Sequence, residues 1–120
     1  MWTEKEKDIQ TGILDYLNLF GIAVKTGQVA VKMTDAKGSV RFVRSGGGYN
    51  QGRGWPDIAF CYRDRVYLIE VKRPGEKLNA NQLEMHEALL TKTGVRVFIL
   101  HSVDEAESMR RSIDAGHFTK

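Results

Sequence analysis

The chain has 120 residues, of which 42% are hydrophobic and 28% charged, so it is apolar enough to fold and too short for more than one small domain. Its net charge of +3 permits a polyanionic partner without requiring one, and its single cysteine excludes an intrachain disulfide framework and a cysteine-cluster zinc site. No apolar run approaches the roughly 20 residues needed to cross a bilayer, and the charged start has no signal-peptide core. We expect a single domain over residues 1–120 that is soluble, cytoplasmic and without a membrane partner.

The N-terminal stretch predicts a helix. Thr3 is the expected N-cap, with Glu6 three residues later to complete a capping box. Apolar residues then recur at helical spacing, at Ile9, Ile13, Leu17 and Phe20. Gly21 ends the pattern.

The next segment is less regular. Residues 22–32 and 40–44 alternate weakly between apolar and polar side chains, which indicates a hairpin or a loop excursion. Five of the 12 glycines then lie between residues 46 and 54. This glycine-rich loop could let backbone amides approach phosphate groups, or it could be only a flexible connection.

A central hairpin is predicted from two apolar strands, residues 57–62 and 66–72, joined by a tight turn at Arg63-Asp64. A two-residue turn, or a symmetric four-residue one, makes the numbers of paired residues add up to 127. Asp57 then lies directly opposite Glu70, and Lys72 shares that face of the strand. A turn with an odd number of residues, or a bulge, would offset the two carboxylates by one position.

Two helices and a strand complete the predicted order. Asn79 begins a helix with Gln82 at its third position, and Gly94 ends it. An apolar strand follows over residues 95–100, and a capping box formed by Ser102 and Glu105 begins the last helix. The order is roughly α-β-β-β-α-β-α, which predicts an α/β protein with a mixed sheet flanked by helices.

Opposed carboxylates destabilise a sheet unless one takes up a proton or a cation bridges them. Hard oxygen ligands suit Mg²⁺ or Mn²⁺, and a neighbouring lysine would hold a water molecule or a phosphate oxygen. The alternative is a surface ion pair of Lys72 with Glu70 or Asp57. Because both hairpin strands are apolar on both faces, we expect the hairpin to be buried. Burying charged residues at its end is costly unless they are paired, which favours a functional role for them.

These residues resemble a known signature. Pro56-Asp57, twelve intervening residues and Glu70-Val71-Lys72 resemble the PD-(D/E)xK nuclease signature. The lead-in from Gly54 to Ile58, the Gln82 helix and the segment Gly94-Val95-Arg96-Val97 resemble the virus-type replication-repair nuclease (VRR-NUC) family in the same order. The resemblance covers essentially the whole chain. It implies a stand-alone member with a restriction-endonuclease-like sheet, located in the host cytoplasm if the protein is viral.

The resemblance also implies roles for individual residues. Asp57 and Glu70 would be metal ligands, with the Val71 carbonyl as a third. Lys72 would orient or activate the attacking water, and Gln82 would lie beside the site. Glu6 would complete the acidic set, with Glu4 as its competitor, although Glu6 and Gln82 could instead serve only as helix caps.

The implied activity is hydrolysis of DNA phosphodiester bonds with Mg²⁺ or Mn²⁺ as cofactor. We expect a homodimer that acts on branched DNA such as a four-way junction, because two sites related by a two-fold axis match a two-fold substrate. The alternatives are a non-catalytic nucleic-acid-binding or scaffold protein that keeps the fold, and a restriction-type endonuclease, which would need more chain or a partner.

Several side chains near the predicted site could contact DNA. A phosphate track is predicted from four basic residues, Arg44, Arg53, Arg73 and Lys77. Their alternative is ordinary solvated charge. Trp55 could stack on bases or pack at the mouth of the sheet. The three histidines show no ligand spacing and are interpreted as incidental, and Cys61 as a core residue.

Overall fold

A computed structural model describes residues 5–26 and 54–117, together with the backbone of residues 30–34 and 40–44. Within these residues it forms three helices, α1 (Glu6–Leu17), α2 (Ala80–Thr93) and α3 (Val103–Asp114). The strands are β1 (Ile22–Lys25), β2 (Ala30–Thr34), β3 (Val40–Arg44), β4 (Ile58–Tyr62), β5 (Arg65–Val71) and β6 (Val97–Leu100). None of these helices has the length and apolar content that a membrane crossing requires.

Four of the strands form one mixed sheet in the order β1-β4-β5-β6. β4 is antiparallel to both β1 and β5, whereas β5 and β6 are parallel. Parallel neighbours cannot be joined by a tight turn, and α2 supplies the necessary crossover between them. The structure therefore confirms the α/β class and a mixed sheet accompanied by helices.

The segment from residue 22 to residue 44 divides into two parts. β1 pairs with β4, from Ile22 opposite Cys61 to Lys25 opposite Ile58. β2 and β3 pair only with each other among the described strands, as a separate antiparallel ribbon. The predicted hairpin thus exists as β2–β3, but the sequence did not indicate that β1 joins the main sheet. The glycine-rich stretch of residues 45–53 lies outside the described residues.

The β4–β5 turn has the predicted two-residue length. Arg63 and Asp64 have φ angles of 50° and 67°, as a type I′ turn requires at both central positions. The register follows from it, with Tyr62 opposite Arg65 and Ile58 opposite Ile69. The predicted pairing is therefore confirmed for all five residues of β4, and the same register continued by one position sets Asp57 opposite Glu70.

The start of α1 differs from the prediction. The helix begins at Glu6, its N-cap is Lys5, and no side chain caps it. Glu6 is therefore the first helical residue and not the third, so the predicted Thr3–Glu6 capping box is wrong, and Thr3 itself lies outside the described residues. The acidic side chain still lies in the first turn, where the helix dipole favours a negative charge.

The other two helices begin as predicted. The Asn79 side chain accepts a hydrogen bond from the Gln82 backbone N–H at 2.9 Å, and the Gln82 side chain accepts one from Asn79 N–H at 2.9 Å. Ser102 Oγ accepts from the Glu105 backbone N–H at 3.2 Å. The Glu105 carboxylate, however, accepts from the backbone N–H of His101.

The hydrophobic core lies on one face of the sheet. α1 and α3 pack against each other there, and α1 also contacts β1 and β5. Helix residues buried in this core are Ile9, Ile13, Leu17, Ala106, Met109 and Ile113. The hairpin contributes Ile58, Phe60, Tyr67, Ile69 and Val71. The predicted apolar stripe of α1 is confirmed except for Phe20, which lies beyond the helix and is 43% exposed.

The opposite face of the sheet is largely open. Val66 is 58% exposed and Ile22 65%, and Cys61, predicted as a core residue, is exposed as well. α2 packs beside β6 and contributes no buried residue. The expectation that the hairpin is buried on both faces is therefore wrong, because α2 covers only part of this face.

Gly54 and Gly94 allow a comparison of backbone strain with steric collision. Both have a φ of +75°, but a Cβ at Gly54 would collide with the backbone carbonyl of Asn81, whereas one at Gly94 meets nothing within 4 Å. We predict that Gly94→Ala lowers the free energy of unfolding by about 1 kcal/mol. Gly54→Ala should cost about 2 kcal/mol more, because the backbone must move. Urea unfolding of the two variants measures the difference, and equal losses would contradict the close packing at Gly54.

Candidate active site

The candidate site lies at the end of the β4–β5 hairpin, where Asp57 directly precedes β4. Asp57 Oδ2 accepts a hydrogen bond of 2.8 Å from the Val71 backbone N–H. Thr26, at the end of β1, donates from its backbone N–H to the Asp57 carbonyl at 3.0 Å and from its hydroxyl to the Pro56 carbonyl at 2.6 Å. The start of β4 is therefore held from both neighbouring strands, which fixes the Asp57 carboxylate at the sheet end.

Glu70 is buried across the hairpin from Asp57, with a relative exposure of 1%. Burial, followed by a hydrogen bond and the negative charge of Asp57, raises the pKa of Glu70 to about 9. The two carboxyl groups therefore interact directly, as the register predicts. A proton satisfies this pair near neutral pH, and a cation would satisfy it in the proton's place.

Two side chains of α2 contact the Glu70 carboxyl group. Gln82 Nε2 donates to Glu70 Oε2 at 3.3 Å, and His86 Nε2 lies 3.1 Å from Glu70 Oε1. Gln82 thus performs both roles that the sequence left open, because it caps α2 and contacts the site. The interpretation of His86 as incidental is wrong.

Lys72 follows β5 and is also buried, with a relative exposure of 5%. Its backbone N–H donates to the Leu100 carbonyl at 3.0 Å, and its Nζ lies 3.8 Å from Glu76 Oε2. Its positive charge also acts on Glu70 and lowers the pKa of that carboxyl group, although by less than burial raises it. The interpretation of Lys72 as part of a surface ion pair is therefore wrong, since the ammonium is enclosed.

Glu6 reaches the site from α1. Burial raises its pKa, and a hydrogen bond with Glu76 and the charges of Glu76 and Asp57 raise it further. Glu76 is itself held by the Arg73 backbone N–H, which donates to it at 3.0 Å and lowers its pKa. The sequence did not single out Glu76, which meets Lys72 because the chain turns between them, with Glu76 N–H donating to the Arg73 carbonyl at 2.9 Å.

The predicted DNA-contacting residues are only partly described. Arg73 is exposed, with its Nε 3.7 Å from Glu76 Oε1, and Lys77 is exposed nearby in sequence. Trp55 is half-buried beside the buried Pro56. Arg53 lies outside the described residues, as does the side chain of Arg44 in β3.

His86 and His101 show why the histidines were hard to interpret from sequence. His101 Nδ1 lies 3.0 Å from Glu105 Oε1 on the surface, in a contact between residues four apart at the start of α3. His86 contacts a carboxyl group in another element, so no local spacing reveals it. The one usable signal is its position four residues after Gln82, on the same face of α2.

The donor set fits a hard divalent cation. Among the described residues no three His, Cys, Asp or Glu side chains are grouped so that they could hold a metal ion. Two carboxylates are nevertheless the usual protein contribution to a Mg²⁺ site, since this ion keeps several waters. Asp57 and Glu70 supply such a pair, and their mutual repulsion when both are ionised favours a cation between them.

No protein-family model and no curated protein matches this chain in sequence. The resemblance to the VRR-NUC family therefore stays a prediction that rests on the sequence motifs.

The raised pKa of Glu70 predicts a stability change with pH. The unfolded carboxyl group ionises near pH 4.5 and the native one near pH 9, so the native state binds more protons in between. The contribution of Glu70 to the free energy of unfolding is therefore fully present below pH 4.5 and is lost as the pH rises towards 9. In metal-free buffer, Glu70→Gln should therefore raise the thermal midpoint at pH 8 by about 4 °C or more, and not at pH 4.5.

The groups that face Glu70 are Asp57, Lys72, Glu6 and His86. The control variant is Glu84→Gln, since Glu84 is an exposed acid on α2. A gain in midpoint that is the same at both pH values would contradict the assignment to Glu70 ionisation.

Proposed function

We propose that this protein is a divalent-metal-dependent nuclease that hydrolyses DNA phosphodiester bonds, with the restriction-endonuclease-like fold and PD-(D/E)xK site of the VRR-NUC family. One observation carries the proposal. The buried carboxyl group of Glu70 lies against Asp57 and within the electrostatic reach of the buried Lys72 ammonium. Burial of two ionisable groups, Glu70 and Lys72, beside the half-buried Asp57 is costly for stability alone, so a chemical role is the better explanation.

The proposed cofactor is Mg²⁺ or Mn²⁺. Asp57 and Glu70 would hold it, with the Val71 carbonyl as a third ligand and Glu6 completing the acidic set. When bound, such an ion offsets the charge of the phosphodiester and lowers the pKa of a water molecule. Gln82 would keep its hydrogen bond to Glu70 and so limit the rotation of that carboxylate.

Lys72 has the second chemical role in this proposal. The transition state of phosphodiester hydrolysis carries more negative charge than the substrate, and a fixed positive charge in a poorly hydrated site stabilises it strongly. The Lys72 ammonium is enclosed and is restrained by its ion pair with Glu76. It is therefore suited to orient the attacking water or to hold a phosphate oxygen.

The substrate surface in this proposal surrounds the acidic site. Arg73 and Lys77 are exposed and follow Lys72 closely in sequence, so they can contact the DNA backbone. Arg44, Arg53 and Trp55 would extend that surface. We infer branched DNA, such as a four-way junction, as the preferred substrate, inside the cell and in the cytoplasm.

A homodimer belongs to the same proposal. The open face of the sheet exposes Ile22, Val66 and Ile99, and a second copy of the chain would bury such apolar side chains. A two-fold pair of sites would also match the symmetry of a four-way junction.

A cleavage assay tests the activity. The protein is incubated with linear, flapped, splayed and four-way DNA and Mg²⁺ or Mn²⁺. We predict that Asp57→Asn and Lys72→Ala each lower the cleavage rate at least about 100-fold, because each removes charge stabilisation at the reacting phosphate. The matched controls are Asp8→Asn and Lys92→Ala, which change exposed residues of α1 and α2.

Two results would count against this proposal. Cutting that survives both substitutions and a chelator would exclude the mechanism. Binding of DNA without cutting in every metal tested would favour the non-catalytic scaffold, which keeps the fold but not the reaction.

The dimer is tested by light scattering of the intact chain. We predict twice the mass of one chain for the wild type, and a monomer for Val66→Glu, because a charge in the apolar interface is left without a partner. Lys92→Glu, a charge change on the exposed side of α2, should leave the mass unchanged. A wild-type monomer at all concentrations, with and without four-way DNA, would contradict the homodimer.

A further inference from the structure

His86 is held against the most deeply buried charge-bearing group of the candidate site. Its Nε2 lies 3.1 Å from Glu70 Oε1, and its side chain is only 13% exposed. Gln82 Nε2 donates to the other oxygen of the same carboxyl group, at 3.3 Å. Each oxygen of Glu70 therefore has one nitrogen partner, and both partners come from one face of α2.

This arrangement limits rotation of the Glu70 side chain. A carboxylate held at one oxygen can still turn about its terminal bond, whereas donors on both oxygens fix its plane. Each carboxylate oxygen offers two lone pairs, so an oxygen that accepts one hydrogen bond can still bind a cation. The two α2 side chains thus orient Glu70 without filling its capacity for ligands.

The contact between His86 and Glu70 also helps to attach α2 to the sheet. α2 contributes no buried residue of its own and packs beside β6. Its hydrogen bonds to Glu70 therefore join it to β5 at the point where the acids meet. The shorter of the two bonds is that of His86, which the PD-(D/E)xK signature does not include.

We propose that His86 is a positioning residue, whose Nε2–H holds Oε1 of Glu70 in the orientation that binds a divalent cation. The inference rests on the proposed function, in which Glu70 is a metal ligand. His86 itself touches neither the cation nor the substrate. Mutation of a residue that holds a metal ligand in this way typically lowers metal affinity or activity 10–100-fold.

The test compares two polar substitutions of the same residue, His86→Gln and His86→Asn. The Nε2 of a glutamine lies about as far from the backbone as that of histidine, whereas asparagine is one carbon shorter and cannot reach Oε1. We expect His86→Asn to weaken Mn²⁺ binding by about 10-fold or more. His86→Gln should keep the affinity within a few-fold of wild type. Mn²⁺ binding is measured by electron paramagnetic resonance and calorimetry on the full chain without DNA.

The control is His101→Asn, which changes a histidine that pairs with Glu105 on the surface. Thermal midpoints show that each variant is folded. If cleavage occurs, His86→Asn should lower kcat more than it raises the KM for DNA, because the residue acts on the acidic site and not on the DNA-contacting surface.

The outcomes separate this inference from the proposed function. Folded His86→Asn that binds Mn²⁺ as tightly as wild type overturns the positioning role and leaves the nuclease proposal intact. Equal losses in His86→Asn and His86→Gln also overturn it, because the donor at Nε2 would then be irrelevant. A wild type that binds no Mn²⁺ at millimolar concentration refutes the metal site, and this role of His86 with it.

Discussion

The burial of Glu70 beside Asp57 is the constraint on which the rest of the site depends. A carboxyl group that is 1% exposed and faces another acid keeps its proton near neutral pH, because burial and Asp57 raise its pKa by more than Lys72 lowers it. Gln82 donates a hydrogen bond to one oxygen, His86 Nε2 contacts the other, and Lys72 offers a positive charge. These groups come from the hairpin and from α2, so the site exists only when the crossover helix is in place.

One face of the sheet forms the hydrophobic core, and the other face carries Glu70. α1 and α3 cover the face that carries Ile69 and Val71, and this packing provides the core. Glu70 lies between these residues in sequence, so its side chain points to the opposite face, where α2 reaches it. α2 therefore encloses the acidic end of that face and leaves the rest open, which explains a buried charge next to exposed apolar side chains.

The sequence predicted the features that depend on residues close together in the chain, namely the register of the hairpin and the cap of α2. The register of the hairpin followed from the two-residue turn and the apolar strands, and this register sets Asp57 opposite Glu70. The Asn79–Gln82 capping box is local in the same way. The prediction for Glu6 was only partly right. Its side chain reaches the site, but the helix begins there without a side-chain cap.

Features that depend on packing between distant elements were not predictable. His86 contacts a group sixteen residues away in another element, and in its own sequence neighbourhood only the four-residue spacing from Gln82 bears on that contact. The exposure of Cys61 depends on how much of the sheet α2 covers, which alternation in a strand does not reveal. The role of β1 as a neighbour of β4 likewise requires knowledge of the sheet order.

The turn at Arg63 and Asp64 governs chemistry at the far end of the hairpin. At about 3.4 Å per residue, the five steps from Tyr62 to Asp57 place it roughly 17 Å from the carboxylates. One inserted residue that shifted the whole pairing would turn Glu70 out of line with Asp57, whereas an insertion of two that kept the loop symmetric would preserve the match. Related proteins should therefore tolerate insertions or deletions of an even number of residues in this turn more readily than those of an odd number.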